Sequence, residues 1–319
     1  MRRFPRTATT LVLDPDAAPL AELGEGERVL VETADSLCGV AKAQAPRGWQ
    51  IDEVVELLGG ACPLTGPFAV AGARAGADVL EVELHRVDAW PATGEGWTGV
   101  FGGFGALDHA AYSLGDAGFE PEVRVVPYRD GVARFPVGDA AVEVPLRTFL
   151  GTVGVAPARE RRLTFSQSPE YLGDVDVPGV AAGAVLVLPV DVDGGLLALG
   201  DAHAAQGSGE ITGAALEVEA EVELSVRVRT REEAGFAALP QLNTAEAIGS
   251  IAGFQGTSLA DCARAAYADL IRRLETGWGF ARRDAYELLS LVGRLDVGNM
   301  IDPFYSVLAS VERRYLERS

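Results

Sequence analysis

Apolar and polar residues alternate with a period of two through the first two thirds of this 319-residue chain, and this pattern most constrains its fold. In the segment LEVEAEVELSVRV, residues 216–228, every second position from Val218 is valine, alanine or leucine. Side chains of a strand project to alternate faces, so the segment predicts one half-buried antiparallel strand. Its apolar side chains would face a core, and its glutamates, Glu217 included, would face solvent.

Three other segments alternate in the same way and are predicted as strands: RVLVET at 28–33, DVLEVELHRV at 78–87 and VEVPLRTFL at 142–150. The apolar runs AVLVLPV and GLLALG are separated by the turn-forming sequence DVDGG. Residues 184–200 are therefore expected to form a hairpin with two buried arms.

The period changes in the C-terminal part of the chain. SLADCARAAYADLIRRLETG has apolar residues at helical spacing and is expected to stop at Gly277, and RRDAYELLSLVG predicts a second helix that ends before Gly293. A short amphipathic helix is also predicted at 51–58. These elements indicate a mainly β fold with α+β character: an antiparallel β-sandwich-like body with the C-terminal helices packed on it.

The length suggests about two domains. We expect an N-terminal β-rich lobe at 1–150, a second β-rich lobe at 151–245 and a helical C-terminal segment at 246–319, joined in one compact unit.

Charge and cysteine content exclude several classes of protein. Acidic residues outnumber basic ones by 46 to 27, a net charge of −19 that argues against a nucleic-acid partner. The three cysteines form no C-x-x-C pair, which fits a reducing compartment. No apolar run approaches the roughly 20 residues of a membrane span. A cytoplasmic protein with no membrane partner is expected.

The segment GDAHAAQGSGE, residues 200–210, holds one of only three histidines between two acids and among small side chains. If the preceding strand continues, Asp201 and His203 share a face, and the glycines before Glu210 permit a return toward them. The three groups could ligate a divalent ion, or form a base oriented by a carboxylate. The alternative is that the three residues share no chemistry: Asp201 caps a turn, the His203 ring is semi-buried with its hydrogen bonds satisfied, and Glu210 is solvated. His85 and His109 are expected to have surface or packing roles.

With these segments in hand, the chain resembles the acetamidase/formamidase family, β-rich hydrolases of small amides that act with or without a metal. The resemblance spans nearly the whole chain. It is carried by VETAD (31–35), CPLTGPFAVAGARAGADVLEVEL (62–84), GTVGVAPA (151–158), LPVDVDGGLLALGDAHAAQGSGE (188–210) and AYELLSLVGRLDV (285–297).

The resemblance implies an amidohydrolase that cleaves the C–N bond of a small non-peptide, linear amide with activated water. The catalytic residues it implies are Asp35, Asp201, His203 and Glu210. A divalent metal, zinc or calcium, would be held by Asp176, Asp201, His203 and Glu210, and no organic cofactor is expected. Thr65, Gly66 and Gln206 would contact the substrate or its oxyanion. The implied partners are a small-molecule substrate and a second copy in a homodimer.

The chain departs from the usual family pattern around the implied site. Cys62 and Asp174 stand where the family usually carries asparagine, Tyr171 replaces a histidine, and Ser208 replaces an acid. These changes leave two alternatives open. One is a repurposed enzyme of specialised metabolism on the same scaffold, performing a cyclisation, an elimination or an atypical, metal-free hydrolysis. The other is a noncatalytic ligand-binding protein.

Overall fold

Strands dominate the computed structural model, which describes residues 1–107, 119–301 and 303–317. In chain order the strands are β1 (Arg2–Phe4), β2 (Thr9–Thr10), β3 (Val12–Leu13), β4 (Ala21–Leu23), β5 (Val29–Thr33), β6 (Trp49–Gln50), β7 (Leu64–Val70), β8 (Asp78–Ala89), β9 (Thr93–Gly102), β10 (Glu122–Arg129), β11 (Val132–Val137), β12 (Ala140–Pro145), β13 (Phe149–Gly154), β14 (Arg162–Leu163), β15 (Gln167–Ser168), β16 (Leu172–Asp174), β17 (Val185–Pro189), β18 (Leu197–Ala205), β19 (Leu216–Val218), β20 (Ala220–Thr230), β21 (Gln241–Asn243), β22 (Ala247–Gln255), β23 (Arg294–Ile301) and β24 (Phe304–Glu312). The helices are α1 (Val40–Gln44), α2 (Ile51–Leu58), α3 (Leu259–Trp278) and α4 (Arg282–Val292), with a short 3₁₀ turn at Arg313–Tyr315. His109 lies outside the described residues.

Two large sheets organise these strands. A nine-stranded sheet has the order β1-β5-β20-β8-β17-β21-β22-β24-β23. A 13-stranded sheet follows the path β12-β11-β10-β9-β19-β18-β13-β16-β15, with β2, β4, β6 and β7 joined beside it. Most pairs are antiparallel, and β1–β5, β4–β7 and β6–β9 are parallel. The nine-stranded sheet takes strands from all three predicted regions of the chain, whose boundaries stay a prediction.

The main core lies where the two sheets face each other. Val222 and Leu224 of one sheet and Leu150 and Leu199 of the other are at most 1% exposed and belong to one apolar cluster. Burial of such side chains, worth about 1.5–3 kcal/mol each, holds the sheets together. The predicted fold class, a mainly β body with C-terminal helices packed on it, is confirmed.

The C-terminal helices form a second core with the end of the nine-stranded sheet. Cys262, Ala266 and Leu270 repeat at helical spacing on α3 and are fully buried against β22 and β24. The predicted helices at 51–58 and 282–292 are also present. None of the helices in the described ranges has both the length and the apolar character needed to cross a membrane.

Three predicted elements were wrong in their extent. LEVEAEVELSVRV is two strands in different sheets, β19 and β20, which meet at Glu219. VEVPLRTFL contains the end of β12 and the start of β13, so it is not one strand. The hairpin at 184–200 does not form: β17 pairs with β8 and β21, and β18 with β7, β13 and β19. DVDGG thus carries the chain from one sheet to the other.

Candidate active site

Neighbouring strands of the larger sheet bring together the acids and the imidazole of the predicted cluster. β18 carries Asp201 and His203, and their shared face is seen in the 3.5 Å distance between Oδ1 of Asp201 and Nε2 of His203. β13 separates β18 from β16, which ends at Asp174, and Asp176 follows two residues later. Glu210 returns through a turn in which its amide donates to the carbonyl oxygen of Gly207.

These groups line one cavity of about 270 Å³. Its polar lining comprises Ser36, Cys62, Asp174, Asp176, Asp201, His203, Glu210, Glu217 and Asn299. All the predicted metal ligands are therefore brought together. The small side chains of residues 200–210 do not form the walls of the cavity, because other segments supply them. The apolar walls are Leu37, Ile51, Val54, Val55, Ala61, Trp97, Phe101, Phe104, Phe165, Pro303 and Phe304.

Gln206 fixes the orientation of His203 and keeps a hydrogen on its Nδ1. Its Nε2 donates to the carbonyl oxygens of Asp176, at 2.8 Å, and Gly298, at 3.0 Å. The amide nitrogen is thereby placed, so Oε1 accepts a hydrogen bond from Nδ1 of His203 at 2.7 Å. A hydrogen on Nδ1 leaves Nε2 to face the acids. Gln206 therefore acts through the imidazole.

Nε2 of His203 is surrounded by carboxylate oxygens. Glu217 Oε1 lies at 3.4 Å, Asp201 Oδ1 at 3.5 Å and Asp176 Oδ1 at 4.0 Å. These distances exceed those of ordinary hydrogen bonds, which are about 2.7–3.2 Å. The oxygens lie around a common space that adjoins the ring nitrogen.

Hydrogen bonds from outside the cluster orient four of the five acids, Asp174, Asp176, Asp201 and Glu217. Thr152 Oγ1 donates to Asp201 Oδ2 at 2.9 Å and lies 2.6 Å from Asp174 Oδ1. A hydroxyl carries one hydrogen, so the second contact favours a protonated Asp174. Asn299 Nδ2 donates to Asp176 Oδ2 at 3.0 Å. Ser36 Oγ donates to Glu217 Oε2 at 2.7 Å.

Burial raises the pKa of most carboxyl groups in the cavity. Burial, the dominant cause, raises the pKa of Glu217 to about 8 and that of Asp176 to about 6. Burial and the nearby charge of Asp176 raise the pKa of Glu210 and of Asp174 well above the ordinary range. The cavity therefore keeps protons on several acids near neutral pH.

The imidazole and Asp201 are shifted in the opposite sense, toward charge. Burial opposes the charged form of His203, but Glu217 and Asp201 outweigh it and raise the pKa of His203 well above its usual value. Burial also opposes ionisation of Asp201, but the His203 charge prevails and lowers the pKa of Asp201. Asp201 and His203 form the charged pair at the centre of the cluster.

The donor set fits a divalent cation. Asp201 Oδ1 is buried and has no hydrogen-bond partner among the described residues. Asp201, His203 and Glu217 offer atoms that all lie within 4.8 Å of one another, and so do Asp176, His203 and Glu210. Their 3.4–3.5 Å separations match two ligands bound about 2.0–2.2 Å from one tetrahedral ion. Mixed imidazole and carboxylate donors favour zinc over calcium, which prefers oxygen alone.

Four residues implied by the resemblance do not line the cavity: Gln206, whose contacts are given above, Asp35, Thr65 and Gly66. Asp35 is buried nearby, where its Oδ1 accepts from the amides of Leu37 and Gly39 at 3.1 and 2.8 Å. Thr65 Oγ1 donates to the carbonyl oxygen of Glu32. The Gly66 amide donates to the carbonyl oxygen of Ala8.

The positions that depart from the family pattern fall into two groups. Cys62 and Asp174 line the cavity, and burial raises the pKa of the Cys62 thiol well above its usual value. Tyr171 points elsewhere, with its hydroxyl 2.9 Å from Ser166 Oγ, and Ser208 bonds the carbonyl oxygen of Val297. Only the first two substitutions change the surface that a ligand would meet.

Sequence reasoning missed Glu217, which is 2% exposed and lies beside His203. In the sequence, Glu217, Glu219 and Glu221 occupy alternate positions of one regular pattern. The chain nevertheless passes from one sheet to the other after Glu217. Thr152 lies within GTVGVAPA, but that segment did not indicate a role for it. Asn299 had no recognisable signal.

The sequence matches the profile described as the Acetamidase/Formamidase family over residues 12–172 and 161–303. A provisionally named formamidase of Schizosaccharomyces pombe is 27% identical over 246 residues, covering 62% of this chain and 58% of the yeast protein. The alignment thus spans less than two thirds of that curated relative.

Solved structures give similarity over nearly the whole chain. An acetamidase from Bacillus halodurans is 29% identical, with a TM-score of 0.84 and 98% of both chains covered. An acetamidase from Yersinia enterocolitica is 28% identical, with a TM-score of 0.87 and coverage of 99% of this chain and 93% of that one. A γ-lactamase from Delftia acidovorans, at 19% identity and a TM-score of 0.61, shares the fold.

Proposed function

Because the chain belongs to the acetamidase/formamidase family, we propose that it hydrolyses the carbon–nitrogen bond of a small linear amide to a carboxylate and ammonia. The observation that carries this proposal is the meeting of one imidazole and five carboxyl groups in a single cavity. Such a set can both activate water and supply a proton to the departing nitrogen.

The division of protons among the acids supports separate roles as base and acid. Asp176, with a pKa of about 6, is mostly ionised at neutral pH and can accept a proton from the attacking water. Glu210, whose pKa is raised well above the usual range, keeps its proton and can deliver it to the leaving nitrogen. Water oxygen bonds to the carbonyl carbon as the C–N bond breaks, and the nitrogen leaves as ammonia.

His203, Asp201 and Glu217 are the proposed ligands of a divalent ion, zinc in preference to calcium. Asp176 and Glu210, which the resemblance also implied as ligands, would keep the proton-transfer roles given above. When bound, the ion would polarise the carbonyl group and lower the pKa of water. Gln206 would keep Nε2 directed at this position through its bond to Nδ1.

We assign the oxyanion contact to Trp97 in preference to Thr65 and Gly66. Trp97 lines the cavity, and its Nε1 is buried with no hydrogen-bond partner among the described residues. It lies opposite Glu217 in the β9–β19 pair, so the two side chains share a face. The Gly66 amide, by contrast, already donates to Ala8.

Asp35 is better suited to positioning than to proton transfer. Its carboxylate organises the turn at residues 35–39, which presents Ser36 to Glu217. A homodimer and a cytoplasmic location stay predictions.

The test is ammonia release from a panel of amides by the purified protein. His203→Ala should lower kcat/KM by about a hundredfold or more, because it removes both the proposed ligand and the charge partner of Asp201. His85→Ala is the matched control, since the His85 ring lies on β8 with Ser225 as its neighbour at 2.9 Å. Unchanged turnover by His203→Ala would contradict the assignment.

A second candidate is a repurposed enzyme that performs a cyclisation, an elimination or an atypical hydrolysis on the same scaffold. Its support is that Cys62 and Asp174, two departures from the family pattern, face the cavity. Rapid ammonia release from simple amides would count against it. A product that retains the substrate nitrogen would favour it.

A further inference from the structure

The cavity around the acid cluster is larger and more apolar than formamide or acetamide requires. We infer, on the basis of the amide hydrolysis proposed above, that it takes amides whose acyl group carries an apolar group about the size of a phenyl ring. Three features of the cavity support this: its size, the character of its walls and the separation of its polar and apolar parts.

The volume of about 270 Å³ equals the share of about nine water molecules at about 30 Å³ each. A carboxamide that carries a single methyl group would leave most of this space to water against apolar surfaces. Small-molecule sites usually bury most of the surface of their ligand. A ligand that fills this cavity therefore extends well beyond the carboxamide.

Two of the elements that build the walls, α2 and β9, present apolar side chains to the cavity. Ile51, Val54 and Val55 occupy one face of α2, at the spacing of successive helical turns. β9 supplies Trp97 and Phe101, whose rings meet edge to face with centroids 6.1 Å apart. Such rigid rings favour a planar or branched apolar group.

The apolar and charged parts of the cavity are separate but adjoining. Val54, Trp97 and Phe101 belong to one hydrophobic cluster that also contains Trp49. The acids, in contrast, lie around His203. Trp97 and Glu217 are cross-strand neighbours, so the two parts meet at this pair. A ligand that satisfies both parts has a carboxamide at one end and an apolar body at the other.

The first experiment compares kcat/KM for formamide, acetamide and phenylacetamide. One buried methylene group changes discrimination by about tenfold or more, so we expect phenylacetamide to exceed acetamide by at least about a hundredfold. A kcat/KM for acetamide or formamide equal to or above that of phenylacetamide would overturn the inference.

Two substitutions on the same helix provide a matched comparison. Val55 lines the cavity from α2, whereas Leu57 is 55% exposed on the opposite face. Val55→Trp should lower the ratio of kcat/KM for phenylacetamide to that for acetamide by about tenfold or more, and Leu57→Trp should keep the wild-type ratio. Ala61→Phe, which fills the same cavity from a loop, gives a second test if Val55→Trp does not fold. A constant ratio in the folded variant would contradict the proposal.

Calorimetry separates failure of this inference from failure of amide hydrolysis. If no amide is turned over, the proposed reaction fails, but ligand preference can still be measured with phenylacetamide and acetamide. Phenylacetamide should bind with a dissociation constant at least about tenfold lower. Equal affinities, or no detectable binding of phenylacetamide, would overturn the inference about the cavity.

Discussion

Gly151 of β13 lies directly against the acid cluster, where no larger residue fits. A Cβ atom at this position would lie 2.6 Å from Asp176 Oδ1 and 2.7 Å from Asp201 Oδ2. Gly151→Ala should displace both carboxylates and lower kcat/KM by about a hundredfold, the effect expected of a misplacement of about 1 Å. Gly207→Ala is the control, because a Cβ there meets nothing within 4 Å. Steady-state kinetics on both folded variants tests this, and full activity in Gly151→Ala would contradict the geometry of the site.

Trp97→Phe tests the proposed oxyanion contact with little change in shape. The substitution keeps an aromatic ring but removes the Nε1 donor, so kcat should fall by about a hundredfold while KM changes little. Trp49→Phe is a matched control: Trp49 belongs to the same hydrophobic cluster, and its buried Nε1 also has no hydrogen-bond partner within the described ranges, but it does not line the cavity. Equal losses in the two variants would indicate a packing effect in place of a contact with the substrate.

At the residue scale, the sequence predicted the groups that lie close together along the chain. The two-residue repeat of a strand predicted that Asp201 and His203 share a face. The glycine-rich turn predicted that Glu210 returns toward them. Glu217 could not be predicted in this way, because its burial depends on which sheet the strand joins. The walls were also missed, since Val55 and Trp97 are far from the acid motif in the chain.

At the scale of elements, the end of α3 gives a prediction about stability. The sequence placed the helix stop at Gly277, but α3 continues to Trp278 and is capped by Gly279, whose φ is 64°. Gly277 is exposed, and a Cβ there meets nothing within 4 Å. Gly277→Ala should therefore raise the free energy of unfolding by about 0.5–1 kcal/mol.

Gly279→Ala should have the opposite effect, because a left-handed conformation is unfavourable for alanine by about 1–2 kcal/mol. Chemical denaturation of the two variants beside the wild type measures both changes. Stabilisation by both substitutions, or by neither, would show that the helix does not end as described.

The errors in strand assignment have a common physical cause. Periodicity reports which faces of a segment are buried, but it does not report which strand pairs with which. The alternation of apolar and polar residues continues unchanged from β19 through Glu219 into β20. The pattern therefore does not show that the two strands belong to different sheets. The same holds for β17 and β18, whose apolar runs look like hairpin arms although each pairs with other strands. Helices with local hydrogen bonds, such as α2, were predicted closely.

At the scale of the whole molecule, the larger sheet holds a group of buried acids whose burial lowers the free energy of unfolding. β16, β18 and β19 place Asp174, Asp201 and Glu217 together in a buried position where their charges repel. The folded sheets must supply the free energy to hold them there, since the acids would ionise more readily in water. This cost should appear as a dependence of stability on pH.

The metal-free protein should lose stability as pH rises from about 4.5 to about 8.5. Glu217, with a pKa of about 8 in the folded state, binds its proton more tightly than in the unfolded chain, and so does Asp176, with a pKa of about 6. Stabilisation from each raised pKa is fully present below the ordinary pKa and is lost as pH passes the folded value. His203 acts in the same direction, whereas the lowered pKa of Asp201 affects stability only below its ordinary value of 3.8 and adds no slope over this range.

Glu217→Gln should make this decline less steep, because the amide does not titrate. Glu143→Gln, at an exposed position paired with Arg134, should leave the slope unchanged. Denaturation at each pH in the presence of a chelator measures the slopes. Added zinc should then stabilise the wild type more at the alkaline end, since its ligands must lose their protons to bind. Identical slopes for Glu217→Gln and the wild type would mean that the buried glutamate does not hold its proton in the folded protein.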